Sequence, residues 1–231
     1  MVYVVADIHN DAVRFKELIK RIGPEKDDRL ILLGDLFDRC NYNPIPLEVY
    51  FTVLENIGRC TVIAGNHDRW LGEYIKRYYT ASDAVRQRMT PYHYNSFDLL
   101  KRRLTQADML ALADWLLMLP LQQTMEIEGK DYLFAHAMTS DPYDVKADDY
   151  YLMAEGPDSF YTDGIEGYIS FCGHSDTGYF RRYGGRYLDE AKTSIWVNDK
   201  ENVYMMDCGC GYSAGRLACY CIETGERIYI S

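Results

Sequence analysis

Five short apolar runs in this sequence stop abruptly at polar residues. Each run is rich in β-branched and other apolar residues, which is typical of buried strands rather than of amphipathic helices. The runs cover residues 3–6, 29–33, 60–64, 130–135 and 168–172. Buried strands that end on chemically active side chains favour a parallel α/β sheet, because ligand sites gather beyond the carboxyl ends of its strands.

Helical patterns separate the first three runs. A helix is predicted over about 11–22, where Phe15, Leu18 and Ile22 fall on one face, and a second helix over about 46–57. Three strand–loop–helix units in succession imply right-handed crossovers. They therefore predict an inner sheet that is largely parallel.

The remainder divides into a helical part and a strand-rich part. Residues 69–119 carry Leu, Met and Ala at helical spacing, so they are predicted to form a helical insertion. In addition to the runs at 130–135 and 168–172, strands are predicted over 122–127, 194–197, 203–206, 216–222 and 227–230. The segment 140–167 is rich in Asp, Tyr and Gly and is predicted to be a long loop. A chain of 231 residues is expected to form one domain with a full hydrophobic core.

Charge and composition narrow the classes of function. A net charge of -10 argues against broad binding to nucleic acid or to anionic membranes. A phosphate substrate stays compatible with this charge, because bound cations dominate the field of a metal site. The sequence contains no run apolar enough to span a bilayer, and its first residues do not resemble a secretory signal. Seven cysteines without a small secreted framework indicate a reducing, cytoplasmic location.

The polar residues at the strand ends form a set of metal ligands. Four of the five histidines lie at these ends, and only His93 lies in the insertion. The set comprises Asp7, Asp35 and Asn66, with three or four of the histidines His9, His67, His136 and His174. Imidazole, carboxylate and amide donors together favour manganese, with iron or zinc as alternatives. One carboxylate can bridge two ions about 3.5–4 Å apart, an arrangement suited to hydrolysis of phosphate esters.

The order of these motifs resembles that of the metallophosphoesterase (calcineurin-like) superfamily. The family blocks GDxHG, GDxxDRG, GNHE, a lone His and GHT correspond here to ADIHN, GDLFDRC, GNHDRW, AHA and GHS. Near the end, Asp207-Cys208-Gly209 and Gly215-Arg216-Leu217 resemble the family's closing strand pair, so the resemblance covers nearly the whole chain. The GDxxDR form is similar to the branch of serine/threonine phosphatases and bacterial diadenosine tetraphosphatases. The resemblance implies an α/β fold, a four-layer sandwich of two mixed β-sheets flanked by helices, with the insertion as a cap beside the site.

The resemblance also implies roles for individual residues. Asp7 and His9 would hold one divalent ion, Asp35 would bridge both ions, and Asn66, His136 and His174 would complete the second. His67 would protonate or stabilise the leaving oxygen as the general acid. Asp38 would orient His67 by fixing its tautomer, and Arg39 would clamp the phosphate.

Some positions depart from the family pattern. Asn10 and Cys40 replace glycines, and Asn tolerates left-handed backbone geometry better than Cys does. Asp68 stands where the family has Glu. The protein phosphatase branch carries a second phosphate-binding Arg after the lone His, whereas Lys146 is the one cation between residues 137 and 173 here. Either Lys146 takes this role, or an arginine such as Arg181, Arg182 or one from the insertion does.

These observations predict a phosphatase that hydrolyses phosphate monoesters of phosphorylated substrates, like the serine/threonine phosphatases, by attack of a hydroxide held on two metals. One alternative is a dinucleoside polyphosphate hydrolase, favoured by the missing Arg and by a cluster of tyrosines. An alternative of another class is a module that binds metal and phosphate without turnover.

Seven tyrosines cluster in the insertion and the predicted loop, where they either line a substrate mouth or pack on its rim: Tyr78, Tyr79, Tyr92, Tyr94, Tyr143, Tyr150 and Tyr151. Two Cys-x-Cys pairs favour packing over a zinc site, which usually has wider spacing: Cys208, Cys210, Cys219 and Cys221.

Overall fold

Two mixed β-sheets form the centre of the computed structural model, which describes residues 1–190 and 193–231. The first sheet has the order β11-β10-β1-β2-β3. Its strands are β1 (Val2–Val5), β2 (Arg29–Leu32), β3 (Cys60–Val62), β10 (Leu217–Cys221) and β11 (Arg227–Ile230). The pairs β1–β2 and β2–β3 are parallel, as the sequence predicted, while β10 runs antiparallel to both β1 and β11.

The second sheet has the order β4-β5-β6-β9-β8-β7. Its strands are β4 (Gln122–Ile127), β5 (Lys130–Ala135), β6 (Tyr168–Cys172), β7 (Arg186–Tyr187), β8 (Trp196–Val197) and β9 (Val203–Met205). The predicted hairpin of β4 and β5 is present. Strands β5, β6 and β9 are parallel neighbours, so the carboxyl ends of β5 and β6 meet at one edge.

Alternating side chains of β1 show how the layers are stacked. Val2 and Val4 pack between the sheets against Phe134 of the second sheet, in one buried cluster. Tyr3 and Val5 point the other way, into a cluster that the helices of the first sheet cover. A third cluster covers the outer face of the second sheet. The predicted four-layer sandwich of two mixed sheets flanked by helices is therefore confirmed.

Helices occupy most of residues 66–117. They are α3 (Asn66–Thr80), α4 (Asp83–Arg86), α5 (Ser96–Lys101) and α6 (Gln106–Leu117), and they follow α1 (Ala12–Ile22) and α2 (Pro46–Glu55). The close packing of α3 on α6 is possible because Gly72 brings the helix backbone near Leu116 and Leu117. No helix in the described ranges is both long and apolar enough to cross a membrane.

The prediction of a long loop over residues 140–167 was wrong. Two short helices lie there, α7 (Asp148–Met153) and α8 (Asp158–Asp163). Each has six residues, which is too short to show a helical apolar period in the sequence. Burial of Tyr151 on α7 and of Tyr161 on α8 stabilises these helices. A 3₁₀ helix (Thr177–Tyr183) and strand β7 are further elements that the sequence did not predict.

The four cysteines of the Cys-x-Cys pairs lie in two separate layers. Cys208 packs between the two sheets, whereas Cys210, Cys219 and Cys221 pack on the helical side of the first sheet. All four are buried free thiols. This division agrees with packing as small apolar residues and not with a zinc site.

Candidate metal centre

The loops after β1 and β2 are joined side by side beyond the ends of their strands. The backbone N–H of Asp7 donates to the carbonyl of Gly34 over 3.2 Å, and that of His9 donates to the carbonyl of Asp35 over 2.9 Å. Asp7, His9 and Asp35 all have positive φ, at 53°, 50° and 50°. Non-glycine residues held in this region concentrate at functional sites, because the surrounding structure must impose the unfavourable backbone.

The two residues that replace family glycines keep the backbone that glycine would adopt. Asn10 has a φ of 62° and Cys40 a φ of 48°. Cys40 is fully buried, so packing compensates for the left-handed conformation of its backbone. The loop with Cys40 therefore retains glycine-like geometry despite the departure from the family pattern.

Asp35 lies at the centre of the predicted ligands. Its Oδ2 is 3.7 Å from Nε2 of His9 on one side and 3.4 Å from Nε2 of His136 on the other. One potential ligand atom from each of Asp7, Asp35 and His136 lies within 4.8 Å of the other two. Asp35 thus occupies the position that a bridging carboxylate requires.

Asn66 joins the two remaining histidines to this group. Its Oδ1 is 3.0 Å from Nε2 of His136 and 3.2 Å from Nδ1 of His174. The backbone N–H of His174 donates to the carboxylate of Asp7 over 3.2 Å. The structure therefore brings all six predicted ligands together at the shared edge of the two sheets.

Hydrogen bonds behind two histidines turn their Nε2 atoms toward the site. Nδ1 of His9 lies 3.1 Å from the carbonyl of Phe37, and Nδ1 of His136 lies 2.7 Å from the carbonyl of Leu33. In each case Nδ1–H donates to the carbonyl, which turns Nε2 toward the site. Nε2 of His9 is buried and has no hydrogen-bond partner within the described ranges. A buried acceptor of this kind fits a divalent ion, as does the mixed set of N and O donors.

The electrostatics of the site also suit a cation. Burial raises the pKa of Asp7, and the neighbouring carboxylate of Asp207 raises it further. Burial opposes ionisation of Asp35 too, but the charge of His136 holds the pKa of that carboxyl well below its usual range. Burial lowers the pKa of His9 to about 3, so its imidazole stays neutral and able to bind a metal.

His67 lies beside the predicted metal ligands, and two hydrogen bonds fix its position. Its backbone N–H donates to Oδ1 of Asp35 over 3.0 Å, and its Nδ1 lies 3.1 Å from Oδ2 of Asp38. The hydroxyl of Tyr92 donates to the same Oδ2 over 2.6 Å. The Asp38 carboxylate is thereby fixed from two sides, and Nε2 of His67 is left for a substrate atom.

Arg39 is a cation that lies close enough to this centre to interact with its carboxylates. Burial disfavours the charged guanidinium, but the nearby carboxylates, foremost Asp35, raise the pKa of Arg39. Its guanidinium carbon lies 5.8 Å from the ring centre of Tyr212. Lys146 pairs instead with Asp144. Arg181 and Arg182 lie over tyrosine rings near the 3₁₀ helix.

Three further residues belong to the site although the sequence did not assign them a role. Tyr92 supports Asp38, and only its place in a tyrosine-rich segment pointed to it. Asp207 adds a carboxylate near Asp7, and burial raises its pKa to about 7. Asp68 accepts the N–H groups of Gly65 and Leu36 and so joins two of the loops.

Close approach at Gly173 gives a first prediction. A Cβ at this position would lie 2.1 Å from Oδ2 of Asp7. We expect Gly173→Ala to displace that carboxylate and weaken binding of a divalent ion, with Mn²⁺ as the probe, by at least about 10-fold, the usual cost of losing support for a ligand. Gly58→Ala is the control, because nothing lies within 4 Å of its added Cβ. Calorimetric titration of both folded variants measures this, and equal Mn²⁺ affinities would contradict the placement of Asp7.

The comparisons with known proteins agree with this geometry. A model of the family described as calcineurin-like phosphoesterase matches residues 1–206. No curated protein matches the sequence at a significant level. Among solved structures, a candidate diadenosine tetraphosphatase is 18% identical with a TM-score of 0.62, over 99% of this chain and 92% of that one.

Two further solved structures share the fold. A protein serine/threonine phosphatase from Saccharomyces cerevisiae, with similarity to human phosphatase PP5, is 16% identical with a TM-score of 0.56. The alignment covers 94% of this chain and 71% of the yeast protein. A metallophosphoesterase from Sphaerobacter thermophilus is 15% identical with a TM-score of 0.53, over 99% and 87% of the two chains. At these identities the likeness extends to the fold alone.

Proposed function

This chain belongs to the calcineurin-like phosphoesterase family, and from that membership we propose that it hydrolyses phosphate monoesters with the machinery of a serine/threonine phosphatase. The observation that carries the proposal is the position of Asp35 between His9 and His136, with His67 and Asp38 directly beside it. Such a site can both hold a pair of divalent ions and deliver a proton. Because its donors come from both sheets, we propose that the whole chain acts as one catalytic domain, with α3–α6 as its cap.

The ligands divide around Asp35. Asp7 and His9, whose ligand atoms lie 3.9 Å apart, would hold one ion, and Asn66, His136 and His174, which Oδ1 of Asn66 joins, would hold the other, with Asp35 shared. When bound, the two ions would supply Lewis acidity and a water molecule of lowered pKa. The balance of imidazole and oxygen donors favours manganese, with iron or zinc as alternatives.

His67 would give its proton to the leaving oxygen. Asp38 and Tyr92 hold the ring so that Nε2 faces the site, which is the arrangement a general acid needs. Arg39 would bind the non-bridging phosphate oxygens with its planar donors. The attacking water and the leaving oxygen would then lie on opposite sides of phosphorus, without a covalent enzyme intermediate.

The protein phosphatase branch carries a second phosphate-binding Arg after the lone His, and we propose that Arg69 takes that role here. Arg69 follows Asn66 by three residues on α3, so both lie on the same side of that helix. Its Nε is buried and has no hydrogen-bond partner in the part of the chain that the structure describes. Its Nη2 is 3.4 Å from Asp148, a weak contact that leaves the guanidinium free to take a phosphate oxygen.

The contrast between Arg69 and Lys146 is a second prediction. We expect Arg69→Ala to raise KM for a phosphate ester by about 10-fold or more, since a hydrogen bond to a charged group contributes about 1.5–3 kcal/mol. Lys146→Ala should change KM less than twofold, because that ammonium already pairs with Asp144 at the surface. Steady-state kinetics of the two variants decides the assignment. A larger effect in Lys146→Ala would transfer the role to the lysine.

A dinucleoside polyphosphate hydrolase is the second candidate. It is favoured by the absence of any Arg between residues 137 and 173 and by the aromatic rings near His67. A third prediction separates the two candidates in a competition assay, in which the protein, manganese, a phosphoserine peptide and a dinucleoside tetraphosphate share one tube. The phosphatase candidate predicts that the peptide is cleaved first, and the hydrolase candidate predicts that the tetraphosphate is. Chromatography shows which is cleaved first. Cleavage of neither substrate would contradict both candidates and favour a binding module without turnover.

A further inference from the structure

An open cleft of about 550 Å³ runs along α3 and begins beside His67. One wall is a face of α3 that carries Trp70, Tyr74 and Arg77, and the other is the segment 90–94 with Tyr92 and Tyr94. These positions on α3 follow Asn66 at intervals of about one turn, so the cleft extends outward from the metal centre. None of the roles assigned above to the ligands, to His67 or to the arginines requires such a cleft.

Aromatic rings line the inner end of the cleft. The rings of Trp70 and Tyr94 are parallel within 3°, with centroids 6.1 Å apart. Both contact His67, whose ring centroid is 5.1 Å from that of Trp70 and 4.4 Å from that of Tyr94. Trp70 and Tyr94 are only partly buried. Two partly exposed parallel rings offer flat faces on which a planar group can stack.

The outer end of the cleft is polar. Glu73 and Arg77 line it and are exposed, so an acceptor and a donor stand side by side. Arg77 lies about 10 Å further along the helix axis than Trp70, since each residue adds 1.5 Å of rise. The cleft therefore offers stacking faces near the reacting centre and hydrogen-bonding groups one small-molecule length away. Its volume falls in the range of sites that enclose small ligands.

We propose that this cleft binds the base of a nucleoside or nucleotide leaving group, so that the preferred substrates are small nucleotides. The proposal rests on the proposed function, since His67 must protonate the leaving oxygen for the leaving group to lie in the cleft. A serine side chain has no ring and would leave the aromatic faces of Trp70 and Tyr94 uncovered. A nucleobase would cover these faces, and the donors and acceptors at its edge could form hydrogen bonds with Glu73 and Arg77. The net charge of -10 disfavours long nucleic acids as the source of that base.

The reaction balances as an ordinary hydrolysis. The oxygen of water forms a bond to phosphorus, and the bond from phosphorus to the leaving oxygen breaks with its electron pair on that oxygen. The proton from His67 then completes the leaving group, and the proton lost by water restores His67. The products are a phosphate, or a nucleoside phosphate, and the nucleoside or nucleotide whose base occupied the cleft.

The test compares three variants on two substrates in manganese: Trp70→Ala, Trp70→Phe and Phe51→Ala. Phe51 is a control because it is 47% exposed on α2 and does not line the cleft. We expect Trp70→Ala to lower kcat/KM for diadenosine tetraphosphate by roughly 5- to 150-fold, the usual value of one stacked base. Its kcat/KM for a phosphoserine peptide should fall far less, so the ratio of nucleotide to peptide kcat/KM should fall in Trp70→Ala and stay unchanged in Phe51→Ala. Trp70→Phe, which retains a ring, should keep most of the nucleotide activity.

Binding of adenosine, which carries no phosphate, separates failure of this proposal from failure of the proposed function. We expect calorimetry to show adenosine binding that weakens by the same factor in Trp70→Ala. If no phosphate ester is hydrolysed, the proposed function fails and the proposal that rests on it falls with it, even where adenosine binds. If esters are hydrolysed but adenosine binding does not depend on Trp70, the cleft proposal alone is overturned. Faster hydrolysis of a phosphotyrosine peptide, with the same dependence on Trp70, would also overturn the nucleobase as occupant.

Discussion

Asp35→Asn is expected to lower turnover of every phosphate ester by at least about 1,000-fold, because loss of a group that merely supports a metal ligand already costs about 10- to 100-fold. Asp35 is fully buried and faces His9 and His136 at 3.7 and 3.4 Å. An amide offers one neutral oxygen where the carboxylate offers two charged ones. The amide of the variant could thus hold one ion weakly but could not share charge between two.

The matched control for this prediction is Asp131→Asn. Asp131 is an exposed aspartate on β5, at the far end of the strand from His136, so the same change of charge there should leave turnover within twofold. Circular dichroism of both variants verifies that they fold. Near-normal turnover of a folded Asp35→Asn protein would show that Asp35 does not hold the catalytic ions.

His67→Asn is expected to lower kcat by about 10²- to 10⁴-fold on an alkyl phosphate, the usual contribution of a general acid. The loss should be much smaller on p-nitrophenyl phosphate, because nitrophenolate leaves readily without a proton. This dependence on the leaving group separates proton donation by His67 from a role in holding metal. It follows from the 3.1 Å contact of Nδ1 with Asp38, which directs Nε2 toward the substrate.

Two milder variants complete this test. Asp38→Asn removes the carboxylate that fixes the ring, and Tyr92→Phe removes the 2.6 Å hydrogen bond that fixes the carboxylate. Both variants should lower kcat, but by less than His67→Asn does, and the loss in Tyr92→Phe should be the smallest of the three. An equal loss on alkyl and nitrophenyl esters in His67→Asn would contradict the role of general acid.

The strand framework was predictable because burial on both faces gives a continuous apolar run. Residues 3–6 and 29–33 showed this pattern, and β1 and β2 lie there as parallel neighbours. The polar residues that end such runs converge because parallel strands deliver their carboxyl ends to one edge. That geometry alone brought Asp7 and Asp35 together.

The remaining features depend on contacts between distant parts of the chain. Six-residue helices such as α7 and α8 carry no period that a sequence could reveal, and tertiary burial of Tyr151 and Tyr161 decides them. The support of Asp38 by Tyr92 joins residues 54 positions apart. The parallel arrangement of Trp70 and Tyr94 likewise depends on how the segment 90–94 packs against α3. No local pattern specifies these pairs.

The number of ions bound per chain tests the central claim most directly. Metal-free protein is titrated with Mn²⁺, bound ions are counted by equilibrium dialysis, and phosphate release is measured on the same samples. We predict two ions per chain, with hydrolysis appearing as the second binds, and only one tight ion in Asp35→Asn. Hydrolysis at full rate without bound divalent ions, or saturation at a single ion with full activity, would contradict a dinuclear centre built around Asp35.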